Sequence, residues 1–181
     1  MTTAEATREV EERPAGRARA IGPAVLAELR ERDDAGRPAA PFTDEEGGAP
    51  LRCCLRKSEP GEVIALVSYA PLRRWAAETG AEPGAYDEQG PVFVHGRECA
   101  GPQGAGPKGA GPKGAGLPFT NAHRVVRRYS AQGRILGGRL VEPGAAHLGA
   151  AIAQAFDDSD VALVHVRAVE YGCFLYEVRR P

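Results

Sequence analysis

The sequence predicts an α+β fold: a largely antiparallel sheet built from hairpins, one main packed helix and a smaller N-terminal helix. Three observations support this prediction. Short β-branched and aromatic runs flank tight turn signals, an apolar stripe with helical spacing lies in 145–156, and a helix-forming segment lies near the N-terminus. Strands grouped in hairpins with few helices between them are typical of this class.

The first residues, 1–20, are polar and charged without apolar periodicity, and we expect a disordered tail there. Residues 24–32 are good helix formers, and Val25 and Leu29 lie four apart on one helix face. The segment 21–49 is therefore predicted to be a short helix followed by a loose acidic linker.

A single domain is predicted over 50–181. Residues 51–56 and 62–69 flank the turn signal Ser-Glu-Pro-Gly and are expected to pair as a hairpin. A short strand at 91–95 follows, and then a Gly/Pro repeat loop at 101–116. The glycines of that loop are spaced alternately three and two residues apart, which excludes a collagen helix.

The C-terminal part is expected to contain two more hairpins and the main helix. The predicted strands are 123–130, 134–141, 161–169 and 173–178, and the predicted helix is 145–156. Leu148, Ile152 and Phe156 share one helix face and should pack on the sheet. The last hairpin is expected to close around three residues ending at Gly172.

Charge and hydropathy exclude several classes of protein. The chain has 23 basic and 24 acidic residues, a balance unlike that of a general nucleic-acid binder. No run approaches the ~18 apolar residues of a membrane helix. The N-terminus lacks a hydrophobic stretch and a cleavage site, so we expect a cytoplasmic protein with free thiols. The expected partner is a small-molecule ligand, not nucleic acid or membrane.

Several segments together resemble the bacterial domain-of-unknown-function 1203 family. They are RCCLR at 52–56, LVSYAP at 66–71, YDEQGPVFVH at 86–95, Cys99, and VALVHVRAVEYGCFLYEVRR at 161–180. The resemblance covers roughly residues 50–181. It implies no particular activity, so the chemistry must be argued from the residues.

Two histidines and two cysteines in these segments raise the question of a zinc site. With Val169 opposite Cys173 in the last hairpin, His165 lies roughly 13 Å from Cys173 at ~3.3 Å per residue. Ligands of one zinc lie within about 4 Å of each other. His165 and Cys173 therefore cannot share a metal, and neither metal nor cofactor is predicted. A site using His95 and Cys99 with one of the other two is left open.

The same register predicts a catalytic pair. His165 should face Glu177, and Arg167 should face Leu175, on one side of the sheet. A carboxylate beside an imidazole fixes its tautomer and raises its basicity. We therefore expect His165 to be an acid/base catalyst, Glu177 to orient it and Arg167 to bind substrate. The alternative is a structural histidine in a central strand, and a two-residue loop would separate the pair.

Other residues are weaker candidates. His95 and Tyr69 could line a pocket, and Arg124 and Arg128 share one strand face where they could hold an anion through bidentate forks. A solvated hairpin face is the alternative for these arginines. Cys173, at the start of a strand, is a possible nucleophile, although no known nucleophile signature surrounds it.

Two functions are consistent with these residues. The first is a cofactor-independent enzyme that acts on a small polar or anionic metabolite by histidine acid/base chemistry. The second is a non-catalytic small-molecule-binding or protein-interaction module. A pocket with polar residues and a shifted histidine pKa would favour the first, and an exposed flat apolar patch the second.

Overall fold

The structure is a computed structural model that describes residues 16–103 and 116–180. The helices are α1 (Pro23–Glu31), α2 (Pro71–Thr79) and α3 (Ala145–Asp157). The strands are β1 (Phe42–Asp44), β2 (Pro50–Leu51), β3 (Arg56–Lys57), β4 (Glu62–Tyr69), β5 (Gly90–His95), β6 (Arg124–Ser130), β7 (Ile135–Val141), β8 (Val161–Ala168) and β9 (Phe174–Arg179). Within these ranges no helix is both long and apolar enough to span a bilayer.

The strands form two sheets, which confirms the α+β class but divides the single predicted sheet. The first sheet has the order β1-β4-β5-β2-β3, with β2 parallel to β5 and the other pairs antiparallel. The second sheet, β7-β6-β8-β9, is antiparallel throughout. Its two hairpins are those predicted from the sequence.

The helices cover the sheets. Leu148 and Ile152 of α3 pack on Val164 of the second sheet, as the apolar stripe predicts. Leu26 and Leu29 of α1 are buried against the first sheet. The opposite face of the second sheet receives α2, whose residues join a separate apolar cluster made of Leu72, Trp75, Ala76, Tyr129 and Leu163.

Helix α2 is absent from the sequence-based prediction, although its signals are present. Pro71 occupies the first helical turn, and Gly80 ends the helix in the left-handed region at φ 74°. Leu72, Trp75 and Ala76 have the helical spacing of a buried face and are all buried. The helix lies between β4 and β5 of the first sheet in the chain, and its buried face packs on Tyr129 and Leu163 of the second sheet.

The predicted hairpin of 51–56 with 62–69 is wrong. The Leu55 N–H donates to the Leu51 carbonyl at 2.9 Å, so residues 52–55 form a helical turn and not a strand. Leu55 ends this turn at φ 59°. Strand β4 pairs with β1 and β5 instead. The turn positions Cys53 and Cys54 beside the end of β5.

The predicted N-terminal boundaries also need correction. Residues 1–15 of the predicted tail, and 104–115 of the predicted repeat loop, lie outside the described residues. Arg19 forms a β-bridge with Glu177, and the Ile21 N–H donates to the Arg52 carbonyl at 2.9 Å. The predicted linker contributes strand β1, which pairs with β4. The segment 16–44 is thus part of the fold.

Candidate metal centre

His165 and Glu177 pair through their backbones as predicted, but their side chains do not form a hydrogen bond. The two residues are direct partners on β8 and β9, as the register predicts. Glu177 Oε1, however, accepts a hydrogen bond from Arg179 Nε at 2.6 Å and lies 3.5 Å from Arg19 Nε. Neither ring nitrogen of His165 has a hydrogen-bond partner among the described residues. The predicted dyad is therefore not formed.

His165 is enclosed by aromatic rings. Its ring is 0% exposed, with its centroid 4.6 Å from that of Tyr129 and 5.1 Å from that of Phe174. Burial, followed by the positive charges of Arg167, Arg127 and Arg179, holds the pKa of His165 well below its usual value. A neutral, enclosed imidazole cannot contact a substrate, and the geometry agrees with the alternative of a structural histidine.

Arg167 is neutralised by a carboxylate. A β-bulge between Val166 and Arg167 places Arg167 opposite Phe174, so the predicted pairing with Leu175 is wrong. Arg167 Nη1 donates to Glu88 Oε2 at 2.8 Å. The same carboxylate accepts hydrogen bonds at 2.7 Å from each of two further groups, the guanidinium of Arg127 and the hydroxyl of Tyr129. Glu88 belongs to the segment 86–95 that carries the family resemblance, but the sequence predicts no role for it.

The remaining predicted residues are held in local contacts. Arg124 is buried and donates to the carbonyl of Phe119 at 2.7 Å. Arg128 Nη1 lies 3.5 Å from Asp158. Cys173 Sγ contacts the carbonyl of its neighbour Tyr171 at 3.6 Å. Neither these two arginines nor the cysteine converges with His165. Tyr69 lines a cavity that Glu177 also lines.

The structure assembles a different cluster, in which His95 meets Cys53, Cys54 and Cys99. One ligand atom from each of Cys53, His95 and Cys99 lies within 4.8 Å of the others. His95 Nδ1 is 3.2 Å from Cys53 Sγ and 3.9 Å from Cys54 Sγ, and the two sulfurs are 3.9 Å apart. Cys53 and Cys54 are buried, whereas His95 and Cys99 are half-buried.

Three backbone features bring these residues together. Leu51 on β2 is the parallel partner of Phe93 on β5, so the turn after β2 lies beside the end of β5, where His95 is located. The helical turn directs both adjacent sulfurs toward His95, whereas an extended strand would point them to opposite faces. Cys99 follows four residues after His95, in the segment that leaves β5.

The imidazole is also held from its other side. Arg56 forms a two-pronged ion pair with Glu62, and His95 Nε2 lies 3.4 Å from Glu62 Oε1 and 3.2 Å from Arg56 Nη2. The backbone N–H of His95 donates to Cys53 Sγ at 3.3 Å. The Nδ1 atom therefore faces the sulfurs while Nε2 faces the carboxylate.

These contacts shift the acid–base properties of the cluster. The hydrogen bond from Cys53 to Cys54 lowers the pKa of the Cys54 thiol and raises that of Cys53. The hydrogen bond with Cys54 raises the pKa of His95 to about 9. The Arg56 guanidinium lowers the pKa of Glu62 to about 2. The contacts thus favour the thiolate of Cys54 and the carboxylate of Glu62, whereas Cys53 is favoured as the neutral thiol.

Sequence reasoning identified half of this cluster. The sequence leaves open a metal site that uses His95 and Cys99. It does not indicate Cys53 and Cys54 as ligands, because the run that contains them also fits a strand. The available signal was their joint occurrence with His95 and Cys99 in the segments that carry the family resemblance.

The fold and site define an α+β protein with two mostly antiparallel sheets. A cluster of thiols and one imidazole, partly buried, lies beside the end of β5 in the first sheet. The family described as "Protein of unknown function (DUF1203)" matches residues 48–180, and the chain belongs to this family. The match includes all four residues of the cluster. No curated protein and no solved structure matches the chain.

Proposed function

We propose that the protein binds one thiophilic metal ion of the zinc class through Cys53, His95 and Cys99, with Cys54 as the fourth ligand. The observation that carries the proposal is the convergence of one donor atom from each of the first three residues within 4.8 Å. A sulfur–nitrogen set of this kind is typical of zinc sites.

The spacing of the donors supports a tetrahedral ion. Zinc bonds of ~2.3 Å to sulfur and ~2.0 Å to nitrogen put two sulfurs about 3.8 Å apart, and a sulfur and a nitrogen about 3.5 Å apart. The Cys53–Cys54 sulfur distance is 3.9 Å, and the distances from the two sulfurs to His95 Nδ1 are 3.2 and 3.9 Å. Cys54 lies outside the group of donor atoms that are all within 4.8 Å of one another, so its sulfur has to move toward that of Cys99 to complete a site of four ligands.

The surroundings of His95 support metal ligation through Nδ1. Metal-bound histidines usually donate their other ring N–H to a carboxylate, which fixes the tautomer. Glu62 Oε1 lies 3.4 Å from Nε2 in that position. Arg56 in turn holds Glu62 by two hydrogen bonds. Glu62 is accordingly a positioning residue for the ligand.

Four protein ligands would make this a closed, structural site. Thiolates and imidazole select zinc or Cu(I) over magnesium and calcium. The ion would join the turn at 52–55 to the end of β5 and to the segment after it. Metal binding would then add directly to the stability of the first sheet, because the ligands are not preassembled in the unfolded chain.

The test is metal content and cobalt spectroscopy of the full chain. We expect about one zinc per chain, and a cobalt-substituted protein with sulfur charge-transfer bands and the intense visible bands of tetrahedral Co²⁺. Cys99→Ser should lose this spectrum, and Cys173→Ser, whose sulfur lies outside the cluster, is the matched control. Glu62→Gln should weaken metal binding about 10- to 100-fold. Identical cobalt spectra from the two serine variants would refute the proposal.

A second candidate, thiol chemistry without a metal, is favoured by the line of contacts from Cys54 through His95 to Glu62. The burial of Cys54 opposes this role, because the residue is only 3% exposed and a reagent in solution cannot readily reach its sulfur. If the protein binds no metal and Cys54 reacts with iodoacetamide faster than Cys173, the thiol function replaces the metal function. Acid/base catalysis by His165 is not proposed, because its ring is sealed from solvent.

A further inference from the structure

Two sulfur atoms of the cluster lie close enough to form a bond with each other. The Sγ atoms of Cys53 and Cys99 are within 4.8 Å of one another, and both thiols are free. The two sulfurs of a disulfide lie about 2.05 Å apart. A movement of less than about 3 Å therefore brings the two atoms together.

The backbone holds the two cysteines beside each other. Cys53 lies in the turn after β2, and Cys99 lies in the irregular segment that leaves β5. Leu51 of β2 is the parallel partner of Phe93 of β5, and the His95 N–H donates to Cys53 Sγ at 3.3 Å. Because Cys99 belongs to no strand, it can move without breaking a hydrogen bond between strands. A bond between the two sulfurs leaves the sheet intact.

The cysteines of the cluster differ in their access to solvent. Cys53 is 1% exposed and Cys54 is 3% exposed, whereas Cys99 is half-buried. The susceptibility of a thiol to oxidation follows its exposure. An oxidant in solution therefore reaches Cys99 first, and a small oxidant such as a hydroperoxide needs the least space to do so.

The other cysteines are poorer partners for a disulfide. The sulfurs of Cys53 and Cys54 are 3.9 Å apart, but the Cα atoms of adjacent residues are only ~3.8 Å apart, below the ~4.4 Å that is the usual lower limit for disulfides. Cys54 also lies outside the group of atoms that are all within 4.8 Å of one another. Cys173 is in the turn before β9, where its sulfur contacts the carbonyl of Tyr171. The best partner of Cys99 is therefore Cys53.

We propose that a hydroperoxide oxidises Cys99 and Cys53 to a reversible disulfide, and that formation of this bond releases the metal ion. In the first step the Cys99 sulfur attacks a peroxide oxygen, the O–O bond breaks, and a sulfenic acid and an alcohol form. In the second step the Cys53 sulfur attacks the Cys99 sulfur, and the hydroxyl leaves as water with the proton of Cys53. The two thiols together lose two electrons and two protons, which the hydroperoxide takes up.

The disulfide removes two of the four proposed metal ligands. Cys54 and His95 remain, whereas structural zinc sites use four protein ligands. The zinc affinity should fall by more than about 100-fold, because the loss of an outer-shell partner alone costs 10- to 100-fold. Metal release rests on the proposed function, but formation of the disulfide depends only on the cysteines. Since the bond connects the same two segments as the ion, we expect the oxidised protein to remain folded.

The test is treatment of the zinc-loaded full chain with hydrogen peroxide while a chromogenic chelator reports free zinc. Catalase then removes the peroxide, N-ethylmaleimide blocks the remaining thiols, and a tryptic digest is mapped by mass spectrometry. We expect a pair of peptides linked through Cys53 and Cys99, and zinc release in proportion to the linked pair. Dithiothreitol should restore both thiols and zinc binding.

Variants assign the bond to one of the two adjacent cysteines. Trypsin leaves Cys53 and Cys54 in the same peptide, 53–56. Cys54→Ser should still form the link to Cys99, and Cys53→Ser should not. Cys173→Ser, whose sulfur lies outside the cluster, is the matched control and should behave as the wild-type protein does. Circular dichroism of each variant establishes that it is folded before treatment.

Three results would overturn the proposal. They are conversion of Cys99 to a sulfinic acid without a linked pair, a main link that joins Cys53 to Cys54 or involves Cys173, and a link between Cys53 and Cys99 that leaves the zinc bound. The treatment is repeated on protein stripped of metal by a chelator. A protein that never binds zinc but forms the linked pair refutes only the metal centre, whereas a zinc-loaded protein that forms no pair refutes only the disulfide.

Discussion

The burial of His165 predicts a specific pH dependence of stability. The folded protein holds this imidazole neutral because burial and the nearby arginines keep its pKa well below the usual value of 6.5. The unfolded chain exposes it, so it takes up a proton below about pH 6.5. The unfolded state then binds more protons than the folded state, and stability falls as the pH decreases.

The size of this effect follows from one proton. Between pH 6.5 and the folded-state pKa, the free energy of unfolding should decrease by about 1.4 kcal/mol per pH unit. At pH 5 the loss from this residue is therefore about 2 kcal/mol. His165→Phe preserves the ring between Tyr129 and Phe174 but cannot take up a proton, so this component should disappear. It also removes two polar atoms without partners, which favours stability.

The assay is urea unfolding of the full chain at several pH values from 5 to 7.5, with wild type and variant compared at each value. The difference in slope isolates His165, because Glu177 and the other carboxylates titrate in both proteins. His147→Gln, which removes an exposed imidazole from α3, is the matched control. If the wild type and His165→Phe lose stability in parallel below pH 6.5, His165 is not buried and neutral, and the structural role assigned to it is wrong.

The two other predictions concern carboxylates that accept several hydrogen bonds. Glu88→Ala leaves the guanidiniums of Arg127 and Arg167 without their shared acceptor, and should lower the free energy of unfolding by about 3 kcal/mol. In the same urea assay Glu142→Ala should cost less than ~0.5 kcal/mol, and a similar small loss for Glu88→Ala would contradict the network. Asp33→Ala removes the acceptor of three backbone N–H groups at 2.9–3.0 Å and should cost about 2 kcal/mol. Retention of full stability by this variant would mean that water replaces the carboxylate.

Local patterns were enough to predict the two hairpins of the second sheet, but not the pairing of β6 with β8 that joins them. The apolar runs of β8 and β9 are long, and His165 pairs with Glu177 as predicted. The predicted pairing of Val169 with Cys173 is wrong, because the Ala168 N–H donates to the Cys173 carbonyl at 2.9 Å. The bulge between Val166 and Arg167 compensates for this longer turn and restores the register at His165. The bulge at Arg167 could not be predicted, because it adjusts a single residue without a local sequence signal. That adjustment separates the predicted substrate-binding arginine from the position assigned to it.

The first sheet could not be predicted in the same way. A six-residue run such as 51–56 fits a strand or a helical turn equally well, and periodicity does not distinguish them. The turn is stabilised by distant contacts, including a hydrogen bond at 2.8 Å from buried Arg52 to the carbonyl of Phe174. The metal centre depends on this turn and on the parallel pairing of β2 with β5. Both are tertiary features, so the sequence pattern could not locate the cluster.

The short bridge between Arg19 and Glu177 has a consequence for how the molecule avoids self-association. Strand β9 is the last strand of its sheet, and an uncovered outer strand offers its free amides and carbonyls to any extended chain nearby. Arg19 occupies part of that position, yet it lies before residue 48, where the family match begins. A polypeptide trimmed to the matched region would expose this side of β9, and two such copies could join there by adding strand to strand.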